Sequence, residues 1–327
     1  LMPKTPKKIR NWKEYNKSLV KRGQILLRFD EDYLEHLYYQ TPQRRGGQRV
    51  YSALMYEYLL TIKVMLRLPW RATTGFAQAV LQKAFPDKVI QVPDYTHASR
   101  ESRQLELKIK PLGLKTGLGM ELAFDSTGVN VYSTSGYHQR NHGKEALCRK
   151  RDQWKKIHIV LELDSMQIVA MSYSSSRVND CEVVNELCGQ VKGNITSVRA
   201  DGAYDTNEFY ELLHERQARI LIPPAVTSKA QDELKNQPKT KKDYLEQRDD
   251  TIHFIRGYET FEEGLKEWKI TTGYHRRSLI EATMFRLKRI FGFNLQLKND
   301  QGRINEIITK INLLNQMAAL GKAEYID

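Results

Sequence analysis

MELAFDSTG, residues 120–128, is where this chain changes its period. Apolar positions alternate up to an acid, Asp125, and three small residues follow it. The pattern predicts a strand running into an Asx-type turn, with VNVYS (129–133) as a short strand beyond. Working forward, KIHIVLELD (156–164) and QIVAMSYS (167–174) read as a β-hairpin joined at Asp164-Ser165. Ile157, Ile159, Leu161 and Leu163 alternate onto one of its faces. A helix fits 180–191, with Asn179 or Asp180 as its cap. SVRADGAYD (197–205) is a strand ending in a turn, NEFYELLHERQ (207–217) a helix and ARILIPP (218–224) a short buried strand. Antiparallel strands followed by alternating helices and parallel strands predict an α/β layered sheet. This domain covers 119–223 and 273–327, interrupted by a polar insertion, 224–272, with helical pattern. Its last helix, from about Asp300, carries Ile304, Ile307, Ile308, Ile311 and Leu314 on one stripe.

Working backward from residue 119, residues 1–118 form a separate all-α domain. Residues 1–24 read as a basic, weakly structured arm. VYSALMYEYLLTIKVMLRL (50–68) has apolar residues at i, i+3, i+4 and i+7, and a second helix covers about Thr73 to Phe85. Pro93 and Asp94 then signal a helix start. That short helix bears Thr96, His97, Ser99, Arg100 and Arg103, the pattern of a helix-turn-helix whose last helix enters the major groove. QRRGGQR (43–49) is a basic link that reads either as a phosphate contact or as a solvated loop.

Charge separates the two parts. The chain has 327 residues and a formal net charge of +13. Residues 1–118 hold 22 Lys and Arg against 10 Asp and Glu, and the rest hold 30 against 29. So basic a module favours a polyanion, and double-stranded DNA is the expected partner. The cysteines, Cys148, Cys181 and Cys188, have neither zinc spacing nor the number for a disulfide framework. Cys181 and Cys188, seven apart, read as small core residues. No apolar run follows the basic start, and YLLTIKVMLRL (58–68), broken by Lys63 and Arg67, is too short to span a bilayer. The expected setting is the cytoplasm, in reach of the nucleoid, with no membrane partner.

Three acids stand out. Asp125 and Asp201 each end an apolar strand before a small-residue turn, and sites in open α/β sheets gather at the carboxyl ends of strands. Read singly, each is also a common turn-starter. The third lies in GYHRRSLIEATMFRLKRIFG (273–292), where Arg276, Arg277, Arg286, Lys288 and Arg289 surround one carboxylate, Glu281. An i,i+4 ion pair with Arg277 is one explanation. On a continuous α-helix, however, Tyr274, Arg277, Glu281 and Lys288 fall within about 60° of one face. If that face meets the edge holding Asp125 and Asp201, three carboxylates can bind two Mg²⁺ ions roughly 4 Å apart. Such hard cations prefer oxygen ligands, and Mn²⁺ is expected to substitute. Arg277 and Lys288 would then meet DNA phosphates, and Tyr274 would pack on or hydrogen-bond to the strand backbone. Arg149, Lys150 and Arg151 in the loop 133–154 are further phosphate contacts, or a solvated basic loop. His138, His142 and His158 make no ligand set: two lie in a polar loop and His158 is opposite the apolar strand face. Asp205 is expected to cap the following helix.

DSTG at Asp125, DGAYD at Asp201 and the spacing Y-x2-R-x3-E-x6-K at Tyr274, Arg277, Glu281 and Lys288 resemble the signature of DDE transposases of bacterial insertion sequences. The IS-five family is the nearest type, within the larger group that includes the IS-four type. The similarity covers nearly the whole chain: LPWRATTGFAQAVL, VPDYTHASR and the segment Arg149 to His158 also resemble family segments. The resemblance implies a ribonuclease H-like fold with Asp125, Asp201 and Glu281 as catalytic and metal-binding residues. It implies hydrolysis at the transposon 3′ ends, transesterification into target DNA, and homodimers or larger complexes on terminal inverted repeats. Two other readings share these features: a ribonuclease H-like nuclease without strand transfer, and a domesticated, non-catalytic DNA-binding protein.

Overall fold

A computed structural model describes residues 9–27, 30–39, 50–114, 119–131, 154–234, 242–292 and 294–324. Helices come first: α1 (Trp12–Arg22), α2 (Glu31–His36), α3 (Ala53–Leu66), α4 (Trp70–Ala84) and α5 (Tyr95–Glu101). Then come β1 (Met120–Val131), β2 (Trp154–Glu162), β3 (Gln167–Ser175), α6 (Val184–Gln190), β4 (Ile195–Arg199), α7 (Asn207–Glu215) and β5 (Arg219–Leu221). The chain continues with α8 (Glu246–Arg256), α9 (Phe261–Thr271), α10 (Ser278–Phe291) and α11 (Asp300–Ala319). It divides into two units, Leu1–Leu112 with Ile290–Asp327, and Gly113–Arg289.

The first unit is helical. Leu34, Leu37, Leu59, Ile62, Ala77, Leu81 and Ala98 make its core. Helix α5 starts as its sequence predicts. Asp94 accepts from the backbone N–H groups of Thr96 at 2.6 Å and His97 at 3.3 Å, satisfying two of the helix's orphan donors. Two expectations change. The arm expected over 1–24 carries the helix α1, whose neighbour Arg10 pairs with Glu324 at 2.6 Å. And α11 groups with these helices rather than with the sheet. Four of its five stripe residues, Ile307, Ile308, Ile311 and Leu314, are buried, but so are Asn305, Glu306, Lys310, Asn312 and Asn315. Those amides explain the grouping: Asn305 donates to Ser102 O at 3.1 Å and Asn312 to Lys108 O at 3.0 Å. A helix buried all round brings its own polar partners for an extended neighbour.

The second unit is a mixed sheet flanked by helices, with strand order β3-β2-β1-β4-β5. β1 pairs antiparallel with β2 and parallel with β4; β2–β3 is antiparallel and β4–β5 parallel. Phe124, Val160, Val183, Leu187, Val198, Tyr204, Phe209 and Ile220 belong to its largest described core. The Asx-type turn expected after Asp125 does not form. β1 runs unbroken to Val131, because Ser126, Thr127 and Gly128 keep pairing with His158, Ile157 and Lys156. Once a partner strand is present, ladder hydrogen bonds outcompete the local turn. His158 is correspondingly not on a polar face: both faces of β2 are covered, and it is fully buried with Nε2 2.8 Å from Ser174 Oγ. The 224–272 segment contains α8 and α9, which pack together where Gly264 meets the backbone of Ile255.

Candidate active site

The site starts from strand register. Ala123 on β1 pairs with Arg199 on β4, and Asp125 and Asp201 each lie two residues beyond that last pair. β4 ends at Arg199 while β1 continues against β2. Asp125 therefore stands at the open shoulder where the parallel pairing stops, the place where sheet sites form. Asp201 caps the turn Gly202–Tyr204, accepting from Ala203 N at 3.0 Å. The buried Tyr204 ring pins that turn, packing against Phe124 and Phe209 at centroid distances of 6.3 and 5.3 Å.

Glu281 arrives on α10, but the preceding residues are not α-helical. Gly273 has φ 66°, and Tyr274–Arg277 form a 3₁₀ turn. Tyr274 and Arg277 therefore do not share one α-helical face with Glu281, since a tighter turn rotates them relative to it. Tyr274 is buried, and its hydroxyl donates to Ala200 O at 2.9 Å, one residue before Asp201. Burial, first of all, pushes its phenol up to about 12. Below it lie Leu221, Ile255 and Trp268, whose ring centroid is 5.3 Å from that of Tyr274.

Arg277 joins the acids. Its Nη1 donates to Asp125 Oδ2 at 3.3 Å and its Nη2 to Glu281 Oε1 at 2.7 Å. Glu281 makes the expected i,i+4 pair, and the same guanidinium also bonds Asp125 on the sheet. Burial raises the Asp125 pKa. The Ser126 N–H (2.8 Å) and Arg277 oppose the shift, and Asp201 and Glu281 add to it. Burial works against the Arg277 charge, but Tyr274, Asp125, Glu281 and Asp201 together raise its pKa. Lys288 lies seven residues, about 10 Å of helix rise, beyond Glu281. Partial burial pulls its ammonium pKa down.

A second ion network went unread in the sequence. Buried Arg199 donates to Glu121 at 3.2 Å, Ser197 Oγ at 3.0 Å and Gly273 O at 3.3 Å. Arg276 bonds the same Glu121 carboxylate and also Asp164 at 2.6 Å. These four charges hold the Gly273–Arg277 turn against the sheet. The available signal was an Arg inside an otherwise apolar strand, SVRAD.

The remaining predicted residues are placed as follows. Thr96 and Arg100 are exposed on α5 and Ser99 is partly buried. Arg100 pairs with Glu101 at 3.2 Å. Arg103 is partly buried, bonded to Ser99 Oγ at 3.1 Å and lying against Gly302. Arg149, Lys150, Arg151, His138 and His142 lie outside the described residues, as does the 43–49 link. Asp205 does not cap α7, whose cap is Thr206; it binds Arg248 of α8 through both oxygens, at 2.7 and 3.1 Å. A fixed guanidinium fork is the stronger partner for a carboxylate. Cys188 is buried, and its thiol is pushed up to about 11. Cys181 is partly buried and donates to Ala203 O at 3.1 Å.

The donor types suit a hard divalent cation: three carboxylates, without thiolate or imidazole. Their arrangement does not. Among the described residues no three His, Cys, Asp or Glu side chains converge to hold an ion, and Arg277 already bridges two of these acids.

Residues 117–315 match the family model described as "Transposase DDE domain", and residues 20–134 match a second model with the same description. Among solved structures, the Drosophila P element transposase strand transfer complex matches at 11% identity over 91% of this chain and 85% of that one, with a TM-score of 0.29. So loose a likeness carries no argument about fold or chemistry.

Proposed function

This chain belongs to the transposase DDE domain family, and from that premise we propose that it is an insertion-sequence transposase of the IS-five type. It binds the terminal inverted repeats of its element, cleaves at the 3′ ends and joins those ends to target DNA. In the first step a water oxygen attacks the scissile phosphorus, the bond to the 3′ oxygen breaks, and a 3′-hydroxyl is released. In the second that hydroxyl attacks a target phosphodiester, the phosphorus–oxygen bond to the target's own 3′ oxygen breaks, and that oxygen leaves as a hydroxyl, taking up one proton for the one the attacking hydroxyl gives up. What supports the reading is one observation: Asp125 and Asp201 each lie two residues beyond Ala123 and Arg199, the last pair of the parallel β1–β4 ladder, with Glu281 tied to Asp125 through Arg277.

The sheet is read as ribonuclease H-like, and Mg²⁺, or Mn²⁺ in its place, as the ions this donor set selects. No step is derived through them, because the acids are not arranged as an ion site here. The chain's own contributions are clearer. Tyr274 and the Arg199–Glu121–Arg276–Asp164 network fix the Gly273–Arg277 turn and so the start of α10. Arg277 and Lys288 take backbone phosphates. On the helical unit Thr96, Ser99 and Arg100 read the DNA end, with Arg103 holding Ser99 in place. The active complex is a homodimer or larger, working on double-stranded DNA in the nucleoid.

The test uses labelled duplexes copied from the DNA flanking the gene, with Mg²⁺ or Mn²⁺, and wild type beside Glu281→Gln. Nicking and joining by wild type alone are expected. Asp125→Asn and Asp201→Asn should also abolish both while leaving end binding within about threefold, since neither removes a cation or a residue proposed to read the DNA end. Tight binding with no cleavage by wild type in either ion sinks the reading and favours a DNA-binding relic.

A further inference from the structure

The sheet-bearing unit also holds a polar cleft, where the segment after β5 and the start of α8 meet the turn that follows Asp201. Its volume is about 570 Å³, and Asp205, Thr206, Thr227, Lys229, Lys242 and Arg248 are among the residues that line it. Charge is graded by depth. Arg248 and Asp205, 20% and 11% exposed, neutralise each other through two bonds. Lys229 and Lys242 are exposed, and among the described residues neither ammonium is ion-paired with a carboxylate. The Lys242 pKa is raised, first by a hydrogen bond with Tyr244 and to a lesser degree by Glu211 and Glu208 of α7. Those two acids are exposed, so solvent screens them.

Both lysines are anchored at the main chain. Arg248 Nη1 donates to Lys229 O at 3.0 Å. The Gln231 amide accepts from Lys242 N at 2.9 Å, donates to Lys242 O at 3.2 Å, and also donates to Asp249 at 2.9 Å. A site for a small free anion would bury its cations. Exposed ammonium groups on a fixed backbone, beside hydroxyls, suit instead the phosphates of a nucleic-acid backbone. The cleft is also near the acids along the chain. Asp205 follows Asp201 by four residues, at most about 14 Å of main chain. Duplex phosphates advance about 3.4 Å per step along each strand, so a duplex passing Asp201 reaches the cleft within about four steps.

We propose that this cleft is a phosphate clamp for double-stranded DNA: Lys229 and Lys242 take backbone phosphates, with Thr206 and Thr227 donating hydroxyls, a few steps from the strand end presented to Asp125 and Asp201. The inference rests on the transposase reading and deepens it, naming where the catalytic unit grips the duplex. Such contacts carry no sequence information; they fix the register of the backbone at the site.

The test is the salt dependence of end-duplex binding by the full-length protein, read by fluorescence anisotropy. Wild type is compared with Lys229→Gln/Lys242→Gln and with Lys229→Arg/Lys242→Arg. A third variant, Lys192→Gln/Lys266→Gln, removes the same charge from exposed positions that do not line the cleft. Circular dichroism checks folding. The cleft Gln variant should bind about tenfold more weakly, and its log–log salt slope should be shallower by about two. The Arg variant and the Lys192/Lys266 control should keep the wild-type slope. A folded cleft variant with wild-type affinity and slope overturns the clamp. A loss matched by the control also overturns it, because net charge alone then accounts for the effect. Calorimetry with inorganic phosphate separates the other source of the same chemistry. Phosphate bound by wild type and lost in the cleft variant, with duplex binding unchanged, makes this a small-anion site and overturns the DNA assignment. Nicking of the same duplex in Mg²⁺ is scored separately. Nicking by a wild type whose binding is indifferent to the two lysines keeps the transposase reading and sinks the clamp. No nicking, with the lysine-dependent slope intact, sinks the reading and leaves the clamp standing as a DNA site.

Discussion

Tyr274 shows how much one hydroxyl can set at this site. It donates to Ala200 O, the peptide before Asp201, while its ring packs tilted against Trp268. Tyr274→Phe keeps the ring and leaves a carbonyl unpaired, which costs about 1 kcal/mol. Urea unfolding should report that loss. Nicking should fall several-fold with end binding unchanged, because the bond joins the turn bearing Arg277 to the strand end bearing Asp201. Cys188 offers a simpler check. Its buried thiol, pushed up to about 11, stays protonated at ordinary pH, and the thiolate is the reactive form. A disulfide-exchange reagent at pH 8 should leave Cys188 unmodified in the folded protein and react with it after unfolding.

At the scale of elements, two glycines do different work. A Cβ on Gly264 would stand 2.0 Å from Ile255 O and 2.8 Å from the carbonyl carbon, both backbone atoms of the neighbouring helix. Gly264→Ala must push α8 and α9 apart and should cost 2 kcal/mol or more, on the order of the upper range for overpacking. A thermal melt would show it. At Gly273 the neighbours leave room, the nearest being 4.0 Å away, and only the left-handed φ of 66° resists a side chain. Gly273→Ala should therefore cost only about 1 kcal/mol. Lys63 on α3 gives a pH signature. It is buried, donating to Leu68 O at 2.9 Å and Gln296 at 2.8 Å. Burial lowers its pKa from 10.5, with Glu306 opposing and Lys310 assisting. On unfolding Lys63 takes up a proton in the window below 10.5, so stability rises with pH across that window. Lys63→Met should flatten that slope in urea melts taken between neutral pH and pH 10.

At the scale of the whole chain, a formal charge of +13 sets the electrostatics of any DNA encounter. If six or more phosphates are contacted, affinity for a duplex should fall about 10³-fold between roughly 50 and 200 mM salt. Glu281→Gln should share that slope, since it changes the chemistry and not the counterions released; a flat salt response would remove DNA as the partner. Among the described residues, no helix is long and apolar enough to cross a membrane. The two units have distinct make-up: helices with an amide-rich buried α11 in one, and a mixed sheet flanked by helices in the other.

The strands, helices and turn-starting acids were legible because alternation, 3.6-residue period and capping are local properties of the chain. Asp94 before α5 and Ile157 to Leu163 along β2 are examples. Wherever a local rule competed with a distant partner, only the tertiary structure decided. Asp125 has a turn-former's sequence, but β2 supplies a ladder that carries β1 straight through it. Asp205 precedes a helix it could cap, and Arg248, 43 residues away, takes it instead. The closing helix has a stripe that fits any core, and its asparagines choose the helical unit. The same division runs through the site. Sequence alone singled out Asp125, Asp201, Glu281 and the cations around them. That Arg277 stands between two of those acids depends on a 3₁₀ turn started by a left-handed glycine and braced by Glu121 and Arg199. Those contacts span up to 155 residues, and no local pattern in the chain encodes a charge pair closed over that distance.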